Sequence, residues 1–374
     1  MLNNLVVGGA QSSARRLLGA LSSRGLCVRA LVVEERAAAP SPGRIFLEAH
    51  GVPVDVTSSA REVSADVVRG DALAHLDHAA PRNVFFWNLR PTLRVALADA
   101  LVGLRVVDVS PGAMSFDALD RFFGEPPRGR GAYLDARDYG RTLHAAVVKY
   151  GAERLRAEET LGCSVHVIPN GVDLPAEPVP LWRPFVVGTA ARLSPDKRLD
   201  QLIDAVRLAA PRLPGLSVRV AGGDDPGHEA FARALRDSAS DLPIVFVGDV
   251  PDIASFHAGL SAFVAIAEPE GCPNASLAAM AAGLPVVMTD AGGASDQLTD
   301  GETGLLVPRG DVRALADAIV RLGRDRTLGE HLGAAARAEA GRRFSLSRMA
   351  EAYQALLAGE GADAVRGRAR ALSG

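Results

Sequence analysis

Short, nearly continuous apolar runs alternate with helix-forming stretches through most of the chain, and the alternation restarts once. Leu26–Val33, Arg82–Trp87, Leu104–Val109, Leu143–Val148 and Val165–Ile168 are β-branched or aromatic. Such runs suit parallel strands buried on both faces. Ser12–Arg24, Thr92–Leu101 and Ala152–Leu161 read as the intervening helices. A proline-rich break, Pro175 to Pro184, follows. Beyond it strands are expected at Phe185–Thr189, Leu216–Ala221, Ile244–Val247, Ala262–Ile266, Pro285–Thr289 and Gly304–Val307. Helices are expected at Asp200–Ala209, Gly227–Ser238, Asp252–Ala258, Asn274–Ala282, Asp311–Leu322 and Thr327–Arg342. The pattern predicts two α/β units joined by a linker, and 374 residues suffice for two cores. Ligands of such sheets bind beyond the carboxyl ends of the strands, so a cleft between the units is the expected site. A last helix is expected at Ser345–Leu357, and the Gly/Ala/Arg-rich tail after it is expected to fray.

Composition removes several function classes. A net charge of −3 gives no general attraction to nucleic acid or to anionic lipid. Cys27, Cys163 and Cys272 are isolated, which argues against a disulfide framework or a zinc site and favours a reducing, cytoplasmic setting. No apolar run approaches the roughly 18–20 residues that span a bilayer, and the N-terminus lacks a signal-peptide pattern. Peripheral contact with a membrane stays open. Lys149 and Lys197 are the two lysines in a chain whose other 39 cations are arginines, so a lysine carries more information here than an arginine.

Glu270 to Pro285 is the densest motif. A loop ends at Pro273 and Asn274, a small-residue helix follows, and Gly283 is placed to stop it. Asn274 is the expected N-cap and Gly283 the C′ residue. A helix N-terminus beside a carboxylate, Glu270, suits a phosphorylated and hydroxyl-rich ligand such as a sugar nucleotide. The bland alternative is a surface turn with a solvated acid. Upstream, Arg192 and Lys197 follow the strand ending at Thr189, where two cations can clamp a diphosphate. A solvated basic loop is the alternative, and the scarcity of lysine favours the clamp. Gly292-Gly293 reads only as a turn. Near the start, Gly8-Gly9-Ala10-Gln11 reads as a turn opening the first helix. Seven residues before it are too few for a full strand and loop, so either the first strand is very short or residues precede Met1; the second reading is favoured. Neither a GxGxxG nor a GxxxxGK[ST] fingerprint is present. Trp87, Asn88, Ser110 and Pro111 fall just past expected strands, with core or loop-packing roles as alternatives. No histidine stands in a catalytic pairing, and His50, His75, His78 and His144 read as surface or core residues. No Asp-x-Asp motif points to a metal-dependent transferase.

Taken in order, these stretches resemble the GT-B glycosyltransferases of the large retaining family 4, the glycosyl transferases of group 1. The residues that carry the resemblance are Pro169-Asn170-Gly171-Val172-Asp173, Ala191 to Lys197 and Phe246 to Asp252. Glu270 to Gly283, Pro285 to Asp290 and Gly301-Glu302-Thr303-Gly304 complete the series. It is strong over roughly residues 165–345, and Gly8–Gly25 adds the opening helix. The resemblance implies an α/β fold of two Rossmann-like α/β/α domains facing a central cleft. An acceptor-binding domain is expected at 1–177, a nucleotide-sugar-binding domain at 183–344, and a helix crossing back to the first domain at 345–374. It implies a hexosyltransferase (EC 2.4.1.-) that needs no metal or other cofactor, retains configuration at the anomeric carbon and takes a UDP- or GDP-sugar. Arg192 and Lys197 would hold the diphosphate. Glu270, Gly271, Cys272, Pro273 and Asn274 would surround the donor, Val250 would line the base pocket, and Gly9 would lie near the phosphate from the opposite domain. Domain closure would expel water. The acceptor is expected to be a glycan, a lipid-linked sugar or a small aglycone docked on the first domain, with the loop Gly124–Gly131 as a candidate mobile acceptor element and a disordered loop as the equal alternative.

Three positions depart from the family's pattern. The second acid of its Glu-x7-Glu motif falls on Ala278, which removes charge-assisted hydrogen bonds worth about 1.5–3 kcal/mol each. Ser110 stands near the place of the usual first-domain histidine, and Arg198 replaces a glycine after Lys197. Two further readings therefore stay open: a GT-B protein that binds a sugar nucleotide with weak or no turnover, and a phosphorylase or epimerase on the same fold.

Overall fold

A computed structural model of the chain describes residues 1–5, 8–33, 40–57, 65–101, 103–110, 114–124, 133–180, 184–266, 268 and 271–359. Glu270, Pro111, most of the Gly124–Gly131 loop and the tail beyond 359 lie outside the described residues. The chain divides into two units, 1–171 with 346–374, and 172–345.

Unit 1 runs α1 (Gly9–Ser23), β1 (Ala30–Val32), α2 (Pro42–Ala49), β2 (Val54–Val56), α3 (Ala65–Ala79), β3 (Asn83–Trp87), α4 (Pro91–Ala98), β4 (Arg105–Val109), α5 (Met114–Gly124), α6 (Ala136–Gly140), β5 (Ala145–Val148), α7 (Ala152–Leu161) and β6 (Val165–Val167). Parallel pairing gives β3-β4-β5-β6 and, separately, β1-β2. Leu2 joins them, bridging Val32 on one side and Trp87 on the other. The first strand is thus reduced to a single bridged residue. Strand neighbours alternate faces, as a period of two requires. Phe86, Val106 and Val148 face α4, α5, α6 and α7, whereas Trp87, Val107 and Val147 face α1 and α2.

Unit 2 runs β7 (Val186–Ala190), α8 (Leu199–Ala209), β8 (Ser217–Ala221), α9 (Glu229–Ser238), β9 (Ile244–Gly248), α10 (Ile253–Ala258), β10 (Ala262–Ala265), α11 (Asn274–Ala282), β11 (Val286–Thr289), α12 (Ala294–Gln297), β12 (Leu305–Val307), α13 (Val312–Arg324) and α14 (Arg326–Arg343). Its parallel sheet has the order β12-β11-β10-β7-β8-β9. Val187, Val218 and Val264 pack under α8 and α13, while Val186, Phe263 and Val286 pack under α11 and α14. Both faces are covered at β7, β10 and β11, which is why these strands read as continuous apolar runs, whereas the outer strand β9 leaves Val245 and Val247 exposed. Leu199, Leu202, Ile203 and Val206 form the buried stripe of α8 at helical spacing. The last helix, α15 (Leu346–Ala358), returns to unit 1, where Met349, Ala350 and Tyr353 join the core beside α1.

Unit 1 departs most from the sequence-based expectations. The expected strand Leu26–Val33 shrinks to Ala30–Val32, because pairing with β2 starts only at Ala30. Helix α1 begins at Gly9 rather than Ser12, with Gly8 extended before it. Trp87 lies inside β3 and is buried, not past its end. No described helix is long and apolar enough to cross a membrane.

Candidate functional site

In unit 2 the chain moves outward from β7 through β8 to β9, then returns to place β10 on the other side of β7. Loops leaving β7 and β10 therefore diverge in opposite directions. That switch point is where open parallel sheets bind ligands. Arg192 and Lys197 lie on the first loop, and the start of α11 on the second.

Backbone bonds lace the crest together. Ala191 N–H donates to the Ala221 carbonyl at 2.9 Å, Leu193 N–H to Gly223 at 3.0 Å, and Gly222 N–H to Gly248 at 2.7 Å. Gly222 has φ +128°, and a Cβ there would sit 2.0 Å from the Ala191 carbonyl oxygen, so only glycine admits this approach. Gly223 N–H donates to Asp249 Oδ1 at 2.8 Å, immediately before Val250. On this frame Arg192 is exposed and ion-paired with Asp225, which His228 also reaches at 3.2 Å. Lys197 ends a short 3-10 turn, Pro195–Lys197, with its ammonium 3.4 Å from Asp196. The Ser194 hydroxyl donates to Asp196 at 2.5 Å. Burial raises the Asp196 carboxyl, but Ser194, Lys197 and Arg192 outweigh it, and the net shift is downward. Arg198, where the family's pattern has glycine, adopts a left-handed conformation with φ 49°, the conformation that favours glycine.

The β10–α11 loop reaches this turn through Glu268, whose N–H donates to the Asp196 carbonyl at 2.8 Å. Arg309 Nε lies 2.5 Å from the Glu268 carboxylate. At the start of α11 the expected Asn274 cap is corrected. Pro273, with φ −66° and ψ 128°, takes the cap position without a side-chain cap bond, and Asn274 becomes the first helical residue. Proline's fixed φ suits that extended position, and the side chain three residues further on does the fastening. The Ser276 hydroxyl donates to Gln297 Oε1 at 2.6 Å, and its oxygen lies 3.0 Å from the Pro273 carbonyl. Gln297 Nε2 in turn donates to Cys272 Sγ at 3.2 Å. Gly293 N–H donates to the Gly271 carbonyl at 3.1 Å, so the Gly292-Gly293 turn joins the same constellation. Ala275 and Ser276 carry first-turn N–H groups that no helical carbonyl serves, and the positive end of the α11 dipole lies there. Gly283 closes the helix at φ 83°.

Val250 and Ala278 are both half-buried and pack against the apolar cluster that contains Cys272 and Leu277. Ser276 and Gln297 were not apparent from the sequence. Their role is a contact between segments 21 residues apart, and the only local signal is a glutamine four residues after Gly-Gly.

Gly9 and Ser110 belong to unit 1. Gly9 is the first residue of α1. Ser110 is buried, and its N–H donates to the Val147 carbonyl at 2.9 Å. His257 is buried in unit 2, and burial pushes its imidazole down to about 4. It is neutral at physiological pH. Among the described residues no group of three or more His, Cys, Asp or Glu side chains is placed to hold a metal.

Residues 184–325 match the family model of the glycosyl transferases, group 1. The chain is 29% identical over 161 residues to the capsular polysaccharide biosynthesis glycosyltransferase CapM of Staphylococcus aureus, covering 43% of this chain and 42% of that protein. It is 36% identical over 201 residues to the phosphatidyl-myo-inositol mannosyltransferase of Mycobacterium leprae, covering 50% and 52%. The match thus spans about half the length of these curated relatives or less. Among solved structures, Alr3699/HepE of Anabaena in complex with UDP-glucose superposes with a TM-score of 0.78 at 20% identity, covering 96% of this chain and 98% of that one.

Proposed function

We infer that the chain is a glycosyltransferase from its GT-B fold, with two Rossmann-like domains, and from its resemblance to the glycosyl transferases of group 1. We propose that it is a retaining glycosyltransferase that moves a hexose from a nucleotide sugar to an acceptor hydroxyl without a metal. One observation carries the reading: the Glu268 N–H to Asp196 carbonyl bond ties the Lys197 turn to the loop entering α11. It draws a cation and a helix N-terminus to one switch point. Both favour a diphosphate, and both stabilise the charge that grows on it as the bond to the anomeric carbon breaks.

In this reading Arg192 and Lys197 bind the diphosphate, and Gly271, Cys272, Pro273 and Asn274 line the donor with Glu270. Val250 borders the base, and Gly9 and Ser110 serve from unit 1. The nucleotide is UDP or GDP. The relatives' names, a capsular polysaccharide enzyme and a phosphatidylinositol mannosyltransferase, support a glycan or lipid-linked acceptor, and the proposal places the reaction in the cytoplasm with peripheral membrane contact. A small aglycone is the remaining acceptor class.

A second reading is a donor-binding protein with weak turnover, and Ala278 favours it, because a half-buried methyl stands where a carboxylate would accept hydrogen bonds. A thermal-shift panel of UDP-, GDP-, ADP- and dTDP-sugars identifies the donor. NMR of the transfer product, with and without EDTA, then tests the chemistry. The proposal expects an unchanged anomeric configuration and unchanged rate in EDTA. An inverted product sinks it, and binding without turnover selects the second reading.

A further inference from the structure

Lys149 is buried at 3% exposure, in a chain that uses lysine at only one other place. Its ammonium stands 4.5 Å from the centroid of the Trp87 ring and 5.5 Å from that of Tyr353. It also donates to the Tyr353 hydroxyl at 3.1 Å and to the Ile168 carbonyl at 3.4 Å. Burying an ammonium is expensive, and methionine or leucine would fill a similar volume without that cost. The aromatic faces and oxygens around Lys149 offset the cost, and in return the cation fixes how those groups sit.

Trp87 leads onward. Its indole Nε1–H donates to the Ala10 carbonyl at 2.9 Å. Ala10 is the second residue of α1, directly after Gly9. The ring of Trp87 lies 5.9 Å from that of Tyr353 on α15. The ammonium therefore holds the indole, and the indole holds the first turn of α1. The end of β3 and the C-terminal helix meet at this cation, and Trp87 links it to the first turn of α1.

We propose that Lys149 is a positioning residue that, through Trp87, sets the backbone of the turn carrying Gly9 and thereby the affinity for the donor nucleotide. This rests on the reading of Gly9 as a donor-binding position. Arginine at 149 keeps a cation that stacks on aromatic faces, methionine removes the charge at similar volume, and Trp87→Phe keeps an aromatic ring but deletes the N–H.

The test is hydrogen exchange of the full chain, with UDP and GDP titrated calorimetrically, for wild type, Lys149→Met, Lys149→Arg and Trp87→Phe. We expect Lys149→Met to speed exchange across residues 8–14 and to weaken nucleotide binding, each by about tenfold. Unit 2 should keep its protection. Lys149→Arg should restore most of both effects, and Trp87→Phe should loosen the turn while α15 stays protected. If Lys149→Met loosens α15 alone and leaves residues 8–14 protected, Lys149 only pins the C-terminal helix and the proposal is overturned. The same holds if Trp87→Phe leaves the turn unchanged. A loosened turn with unchanged nucleotide affinity supports the positioning and rejects Gly9 as a donor contact.

Discussion

Glu153 enters the first turn of α7 with its carboxylate buried, and neither oxygen has a hydrogen-bond partner of good geometry among the described residues. Burial pushes its carboxyl up to about 7, against the opposing pull of Arg156, the Tyr150 hydroxyl and Lys149; Asp117 adds to the rise. A carboxyl raised in the fold is bound more tightly to its proton there than in the unfolded chain. Its cost to stability is therefore absent below the ordinary carboxylate range, grows as pH rises through it, and is complete above about 7. The shift corresponds to about 3 kcal/mol. Glu153→Gln should remove this dependence, leaving stability near wild type at pH 4.5 and gaining stability at pH 8. Urea unfolding followed by a unit 1 probe at both pH values checks it, and an equal difference at both would mean that the carboxyl does not titrate as described. Arg94 presents the opposite case, a buried charge paired through its two terminal nitrogens, while its Nε has no hydrogen-bond partner among the described residues. Its Nη1 lies 2.9 Å from Asp108, the Tyr139 hydroxyl donates to the same carboxylate at 2.9 Å, and Arg94 also reaches the Ser115 carbonyl at 3.1 Å. Removing the cation strands the carboxylate. Arg94→Met should cost about 3–5 kcal/mol, and adding Asp108→Leu should recover most of that loss. Chemical denaturation of both variants measures the difference.

At the scale of elements, α11 shows what local chemistry reveals and what it hides. The bounds Asn274–Ala282 and the stop at Gly283 follow from small helix formers ended by a residue that tolerates positive φ. The cap does not follow, because Asn274 is the better capping type, yet Pro273 holds the position beside a non-local bond. Gln297 supplies that bond through Ser276. Gln297→Leu should cost about 1–3 kcal/mol by stranding Ser276 and the Cys272–Pro273 loop, and it should weaken nucleotide binding. A thermal melt with and without UDP separates the two effects. Ala278→Glu, one turn into the same helix, should tighten nucleotide binding; unchanged affinity in calorimetry would mean that this face of α11 does not approach the ribose. The strands of unit 2 were legible for a simple reason: β7, β10 and β11 are apolar on both faces because helices cover both, and the outer strand β9, exposed at Val245 and Val247, is still a β-branched run. Unit 1 was less so. Leu2 acts as a strand only through partners at Val32 and Trp87, and β2, with three half-buried residues, has no apolar run to announce it. The helices α2, α3, α5 and α6 went unread as well. In α3 the apolar residues do not gather on one face, and α6 is only five residues long.

For the whole molecule, the two units have separate hydrophobic cores. Val187, Leu202 and Ile319 lie in one cluster of unit 2, and Phe263, Leu277 and Met280 in the other. Unit 1 closes only when α15 returns from the far end of the chain to seat Met349 and Tyr353. The consequence for truncation is asymmetric. A fragment of residues 172–345 keeps the six-stranded sheet with the helices that pack on its two faces, and it keeps Arg192, Lys197 and the start of α11. It should fold alone, and it should bind the donor nucleotide more weakly than the full chain if Gly9 contributes. A chain ending at Ser345 keeps every strand of unit 1 but exposes the surface that Tyr353 and Leu356 cover. Burying each of those side chains is worth about 1.5–3 kcal/mol, so unit 1 of that shortened chain should melt well below unit 2. Differential scanning calorimetry of the two truncations beside the full chain gives the ordering directly. A single unchanged transition in the chain ending at Ser345 would show that α15 rests on unit 1 without supporting it.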